Sequence, residues 1–193
     1  MNRTVVLHIE GVPNPDAMKF VLENGILTDE PYEFKNLVDA ENSPLVRRLM
    51  MLRYVDRVLM YHNYIAVVKD NKYLKEWGQE TLFELRSLIQ QHLAANEPIL
   101  YFGAKAITHE KSEDAIVSII RDVLDKKIRP AAREDGGDIV FESYSDGVLN
   151  LSMLGACHHC PYAKQTMEQG VEKVMKSLVP EVKKVTATAN NLL

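Results

Sequence analysis

Residues 148–161 read V-L-N-L-S-M-L-G-A-C-H-H-C-P, an alternating run from Val148 to Leu154 followed by two cysteines, Cys157 and Cys160. Alternation of large apolar with polar residues marks a half-buried strand. After Pro161 the period changes: Ala163, Thr166–Met167, Gly170–Val171, Val174 and Leu178 recur at helical spacing until Pro180. The cysteine loop therefore lies between a strand end and a helix start. Ahead of it, Ile139 to Tyr144 is a second strand, joined to the first by the turn S-D-G. Further upstream Ser112 caps a helix that carries Ile116, Ile119, Ile120, Val123 and Leu124 on one face. Glu113 and Asp114 sit at its positive end, and Pro130 is expected to stop it. Val182 to Thr188 closes the order α-β-β-α-β.

The first half has its own pattern. Thr4 to Glu10 and Met18 to Leu22 are strand-like runs around the turn V-P-N-P-D, residues 12–16. Ser43-Pro44 is a helix start, with serine as cap and proline at the first helical position. Val55 to Tyr61 and Tyr64 to Lys69 flank His62-Asn63 as a hairpin, and Leu82, Leu85, Leu88, Ile89 and Leu93 mark a closing helix. The reading is β-β-α-β-β-α. The chain is thus α+β throughout: two small α+β domains, residues 1–95 and 112–193, joined by a linker at 96–111, where Pro98 and Gly103 interrupt the periodicity.

Composition bounds the partners. The 193 residues are 46% hydrophobic and 26% charged, with a formal charge of −4, which argues against a nucleic-acid partner. No apolar run approaches the ~20 residues of a membrane-spanning helix, so no membrane partner is expected. The opening M-N-R-T-V-V-L-H-I-E holds no signal-peptide core. Two closely spaced cysteines suit a reducing interior rather than a secreted disulfide framework. A cytoplasmic protein is expected, although an organellar form with its presequence removed would read the same.

Cys157 and Cys160 are the only cysteines in the chain. Two thiolates cannot complete the four-thiolate shell of a structural zinc site or of an iron–sulfur cluster. A helix start favours negative charge, so thiolates placed there are expected to be stabilised and nucleophilic. Several readings follow. A thiol–disulfide oxidoreductase also sets C-x-x-C at a strand-to-helix junction, but needs more strands after the motif helix than the chain beyond Pro180 supplies. A mononuclear zinc site would need His158 or His159, which have little backbone room to reach a metal already held by the flanking cysteines. Buried, inert cysteines fit poorly with a loop of histidines and a proline. Finally, two copies of the chain, each giving Cys157 and Cys160, would supply four thiolates to one cluster across a two-fold axis.

The segment I-R-P-A-A-R-E-D-G-G-D-I-V-F, then L-N-L-S-M-L-G-A-C-H-H-C-P, then T-M-E-Q-G-V-E-K-V-M-K-S-L-V-P-E-V-K-K-V resembles the C-terminal domain of NifU and the Nfu proteins over residues 112–188. P-N-P-D-A-M-K-F (13–20), S-P-L-V-R-R-L (43–49) and E-P-I-L (97–100) resemble the N-terminal domain found in many Nfu proteins. The resemblance implies an iron–sulfur cluster scaffold or carrier, not an enzyme. It implies a [4Fe–4S] cluster, with [2Fe–2S] as the other type, bound between two protomers on Cys157 and Cys160. The implied partners are apo iron–sulfur proteins and upstream cluster-assembly proteins, with a homodimer in the cluster-bound state. His158-His159 and Tyr162-Ala163 depart from the small or polar residues usual in the family.

Other features read more plainly. Gly136-Gly137 lacks the lysine and hydroxyl of a phosphate loop and is expected to be a turn that permits close backbone approach. Arg47, Arg48, Arg53 and Arg57 concentrate positive charge, as a solvated face or as a docking patch. Met50, Met51 and Leu52 are expected to face a core or an interface.

Overall fold

A computed structural model describes residues 5–101, 103, 104, 106, 115–158 and 160–188. The chain divides into two compact units, Met1–Thr108 and His109–Leu193.

In the first unit five antiparallel strands lie in the order β1-β2-β5-β4-β3. They are β1 (Leu7–Gly11), β2 (Ala17–Leu22), β3 (Thr28–Phe34), β4 (Val55–His62) and β5 (Tyr64–Lys69). Helices α1 (Pro44–Met50) and α2 (Gln79–Ala94) pack on one face. Phe20, Met60, Ile65 and Val67 from the strands meet Leu45, Leu49, Leu85 and Ile89 from the helices. Each such side chain contributes about 1.5–3 kcal/mol when fully buried. Ser43 caps α1 as its sequence requires: its Oγ accepts from the Val46 amide at 3.4 Å and donates to the Ile99 carbonyl at 2.8 Å. The His62-Asn63 hairpin forms with Tyr61 opposite Tyr64, and His62 takes the left-handed φ of 52° that such a turn demands.

Strand β3 is an addition to the β-β-α-β-β-α reading. Its sequence T-D-E-P-Y-E-F shows no period of two because a register shift between Thr28 and Tyr32 breaks the alternation. As an edge strand it accommodates Pro31, which has no amide hydrogen to donate.

The second unit follows the expected α-β-β-α-β order. Helix α3 (Ala115–Val123) runs without a break through a π turn (Leu124–Ile128) into α4 (Arg129–Glu134). Strands β6 (Gly137–Ser145) and β7 (Val148–Gly155) form an antiparallel hairpin, and β8 (Lys184–Thr188) joins β7 in parallel. Asp146 and Gly147 make the hairpin turn with φ of 53° and 84°. Between β7 and β8 come the cysteine loop, a one-turn α5 (Ala163–Gln165), a second π turn (Thr166–Val171) and α6 (Glu172–Leu178). The core joins Ile120, Leu124, Ile139, Leu149, Leu151, Met167, Val171 and Met175.

Two expectations are corrected here. Pro130 does not end the first helix; it stands in the first turn of α4, where a missing amide hydrogen is harmless. The wider π turn ahead of it takes the residue 126 carbonyl out of the α ladder that the proline ring would otherwise meet. In the second helix the π turn shifts the buried face to Met167, Val171 and Met175, so that Gly170 and Leu178 are exposed. The cap at Ser112, with Glu113 and Asp114, lies outside the described residues.

A candidate cluster site at the cysteine loop

The loop is built on glycines at its two edges. Gly155 ends β7 with φ 56° and Gly136 precedes β6 with φ 74°, both in the region that favours glycine. The Ala156 amide donates to the Gly136 carbonyl at 3.2 Å, tying the loop to the start of β6. The Cys157 amide donates to Leu154 and the His158 amide to Gly155, each at 3.1 Å. The Ala163 amide donates to the Cys160 carbonyl at 2.9 Å, joining the loop to α5. Gly136-Gly137 is therefore the turn and close-approach element that the sequence suggested.

Cys157 and Cys160 are both free and half-buried. The Cys157 thiol is pushed up to about 12, by burial first, then by Cys160 and by the carboxylates of Asp138 and Asp135. At Cys157 this runs against the expectation of a stabilised thiolate. The helix after the loop begins three residues beyond Cys160 with a single α turn, and its dipole does not offset the loss of solvent and the neighbouring negative groups.

Behind the loop lies a charge network that sequence reasoning missed. Asp138 is fully buried and Arg129 nearly so. Arg129 donates from Nε to Asp138 Oδ1 at 2.9 Å and from Nη2 to Oδ2 at 2.6 Å, a bidentate pair. Arg133 Nε adds a bond to Oδ2 at 3.3 Å, and Arg129 Nη1 reaches Asp125 at 2.5 Å. Burial works against the charge on Arg129, but the Asp138 and Asp125 carboxylates more than offset it, and its pKa lies above the ordinary arginine value. The pair locks α4 to the first residues of β6, directly beneath Cys157. Arg129 and Asp138 stand nine positions apart in I-R-P-A-A-R-E-D-G-G-D, and only the helix that continues through Pro130 brings them together.

His158 is buried, and His159 and His109 lie outside the described residues. His8, His62 and His92 belong to the other unit. Arg57 does not join a positive patch: it is buried and paired with Glu33 at 3.1 Å. Arg53 stacks over Tyr73, and Arg47 and Arg48 are exposed on α1. Met50 and Leu52 pack on the core while Met51 is 68% exposed. Among the described residues no group of three or more His, Cys, Asp or Glu side chains converges to hold a metal ion.

Comparison with known families supplies the deciding observation. Residues 7–96 match the model of the scaffold protein Nfu/NifU N-terminal domain, and residues 120–186 match the NifU-like domain. The chain belongs to the Nfu/NifU family. It is 33% identical over 186 residues to a protein of Drosophila willistoni named NFU1 iron-sulfur cluster scaffold homolog, mitochondrial, covering 95% of this chain and 63% of that one. The protein of the same name from Drosophila grimshawi is 34% identical over 182 residues, covering 93% of this chain and 60% of the relative. The human one is 28% identical over 184 residues, covering 95% and 72%. The chain thus spans less than two thirds of the fly Nfu proteins it matches. Its two family matches fall one in each structural unit, and the cysteine loop lies within the NifU-like match. No helix among the described residues is long and apolar enough to cross a membrane.

Proposed function

We propose that this chain carries an iron–sulfur cluster as cargo, held by Cys157 and Cys160 from each of two copies, and delivers it to apo-proteins. One observation carries the reading: two free thiols share one loop, and no third ligand converges on them among the described residues. Such a loop is half of a four-thiolate site. Few protein ligands per chain also leave the cluster exchangeable. The function is binding and delivery, without catalytic turnover of a substrate. The raised pKa of Cys157 speaks against a thiol–disulfide oxidoreductase, whose attacking cysteine needs a depressed one.

The cluster is [4Fe–4S] in this reading, with [2Fe–2S] as the smaller form the same four thiolates would hold. Residues 112–193 bind it, residues 96–111 link, and residues 1–95 recognise partners, namely cluster-assembly proteins upstream and apo-proteins downstream. Two closely spaced cysteines without a disulfide support a reducing compartment. The sequence reading is the cytoplasm, and the relatives' names set the mitochondrion beside it; fractionation of the native protein separates the two.

Anaerobic reconstitution with iron and sulfide tests the proposal. Broad visible absorption is expected with about two chains per four-iron cluster, and Cys157→Ala or Cys160→Ala should abolish it. A monomer that binds one zinc ion and never takes up a cluster would sink the reading.

A further inference from the structure

The two cysteines do not occupy equivalent ground. Cys157 packs against the C-terminal core, and its sulfur rests over the bare Cα of Gly137. A Cβ on Gly137 would stand 2.3 Å from Cys157 Sγ, 2.8 Å from the Cys157 nitrogen and 2.8 Å from the Leu154 carbonyl oxygen. The floor of this socket is held from two sides. Gly137 is paired with Gly155 across the hairpin, and the next residue, Asp138, is pinned by Arg129 and Arg133. Cys160 has other neighbours: it stands beside the exposed Pro161 and Tyr162, and among the described residues it takes no part in the core packing that holds Cys157.

We propose that the two thiols act in sequence, Cys160 as the outward ligand that meets and releases iron first, and Cys157 as a retained ligand seated on Gly137 until the loop turns it outward. This rests on the carrier reading and adds an order of ligand exchange to it. In the releasing step an acceptor thiol loses its proton and its sulfur bonds to iron. The iron–Sγ bond of Cys160 breaks, and the departing thiolate takes up a proton. No electron changes hands. Gly137 is then a positioning residue, acting through Cys157.

The test begins with the metal-free 193-residue chain and a small maleimide, the extent of labelling at each cysteine being read by peptide mass spectrometry. Cys160 should react at least about tenfold faster than Cys157, because the Cys157 sulfur is seated against Gly137 and reactivity follows access, and the two rates should converge in guanidinium. Equal rates in the folded chain, or a faster Cys157, overturn the proposal. Gly137→Ala, checked for folding by circular dichroism, should raise the Cys157 rate and leave Cys160 unchanged. If that variant folds and Cys157 stays slow, the socket is not the cause. If it does not fold, the wild-type rates decide. A maleimide pulse during transfer to a synthetic four-cysteine apo-peptide should label Cys160 before Cys157; the reverse order overturns the sequence of exchange. Unequal rates in a chain that never takes up a cluster would sink the carrier reading and leave the asymmetry standing.

Discussion

The two units bury a sheet under helices in different ways. The N-terminal sheet is wholly antiparallel and its two covering helices are regular, whereas the C-terminal sheet contains a parallel pair and both of its helices pass through π turns. Both units also bury charge. In the N-terminal unit Arg57–Glu33 and Lys69–Asp16 brace neighbouring parts of the sheet. In the C-terminal unit Arg129–Asp138 braces the strand start on which Cys157 rests. Irregular helix winding costs hydrogen-bond geometry and tends to be kept at functional sites. Here one π turn delivers Arg129 to Asp138, and the other begins six residues after Cys160. The π turns therefore flank the thiols along the chain, and the described residues of the N-terminal unit contain none.

That contrast can be broken by experiment. The largest effect is expected from Asp138→Ala, which leaves Arg129 buried beside a vacated partner. The C-terminal unit should lose roughly 3–5 kcal/mol, seen in the denaturant transition followed by circular dichroism. Trp77, the single tryptophan, reports on the N-terminal unit, and its fluorescence transition should hold its midpoint; an equal shift would abolish the distinction between the units. Leu85→Ala is the converse change. It should cost the N-terminal unit about 2–5 kcal/mol while cluster uptake per folded chain stays constant, and a fall in that ratio would tie the regular unit to the site.

A smaller effect concerns pH. His92 is buried, with Nε2 3.1 Å from the Pro98 carbonyl and Nδ1 3.1 Å from Glu97. Burial lowers its pKa below 6.5; the Pro98 carbonyl and Glu97 act the other way and Arg48 with burial. The unfolded chain therefore binds the proton more readily. The stabilisation is complete above about pH 6.5 and declines as pH falls below that value toward the folded pKa. Acid titration of the Trp77 transition should show this loss, and His92→Gln should flatten it; an unchanged slope would assign the acid sensitivity to another group.

Much of this architecture was legible where the signal is local. Ser43-Pro44, His62-Asn63 and Asp146-Gly147 each carry the chemistry of their own cap or turn, and Leu149, Leu151 and Met153 alternate without interruption. The strand at Thr28–Phe34 was hidden by a bulge that destroys its period. The π turns were hidden because apolar spacing in the sequence carries no mark of an i→i+5 bond. Cys157 and Cys160 marked the candidate site in the sequence, but the setting of Cys157 was not legible. It depends on Gly137 and Asp138, about twenty residues earlier, through a contact that no spacing rule reports.

The π turn at Leu124–Ile128 bears on how this segment tolerates changes in length. Of its three exposed residues, Lys126 and Lys127 present nothing to the core and should accept substitution, whereas Asp125 is held to its role by the pair with Arg129. A π turn spends one residue more than an α turn on nearly the same rotation, so ordinary α winding over the same residues would rotate everything after it by about 100°. Arg129 would swing off Asp138 while every side chain of the network remained present in the sequence. A one-residue deletion with α winding would keep the original rotation and only shorten the segment, so what the π turn preserves is the facing of Arg129 rather than the number of residues ahead of it.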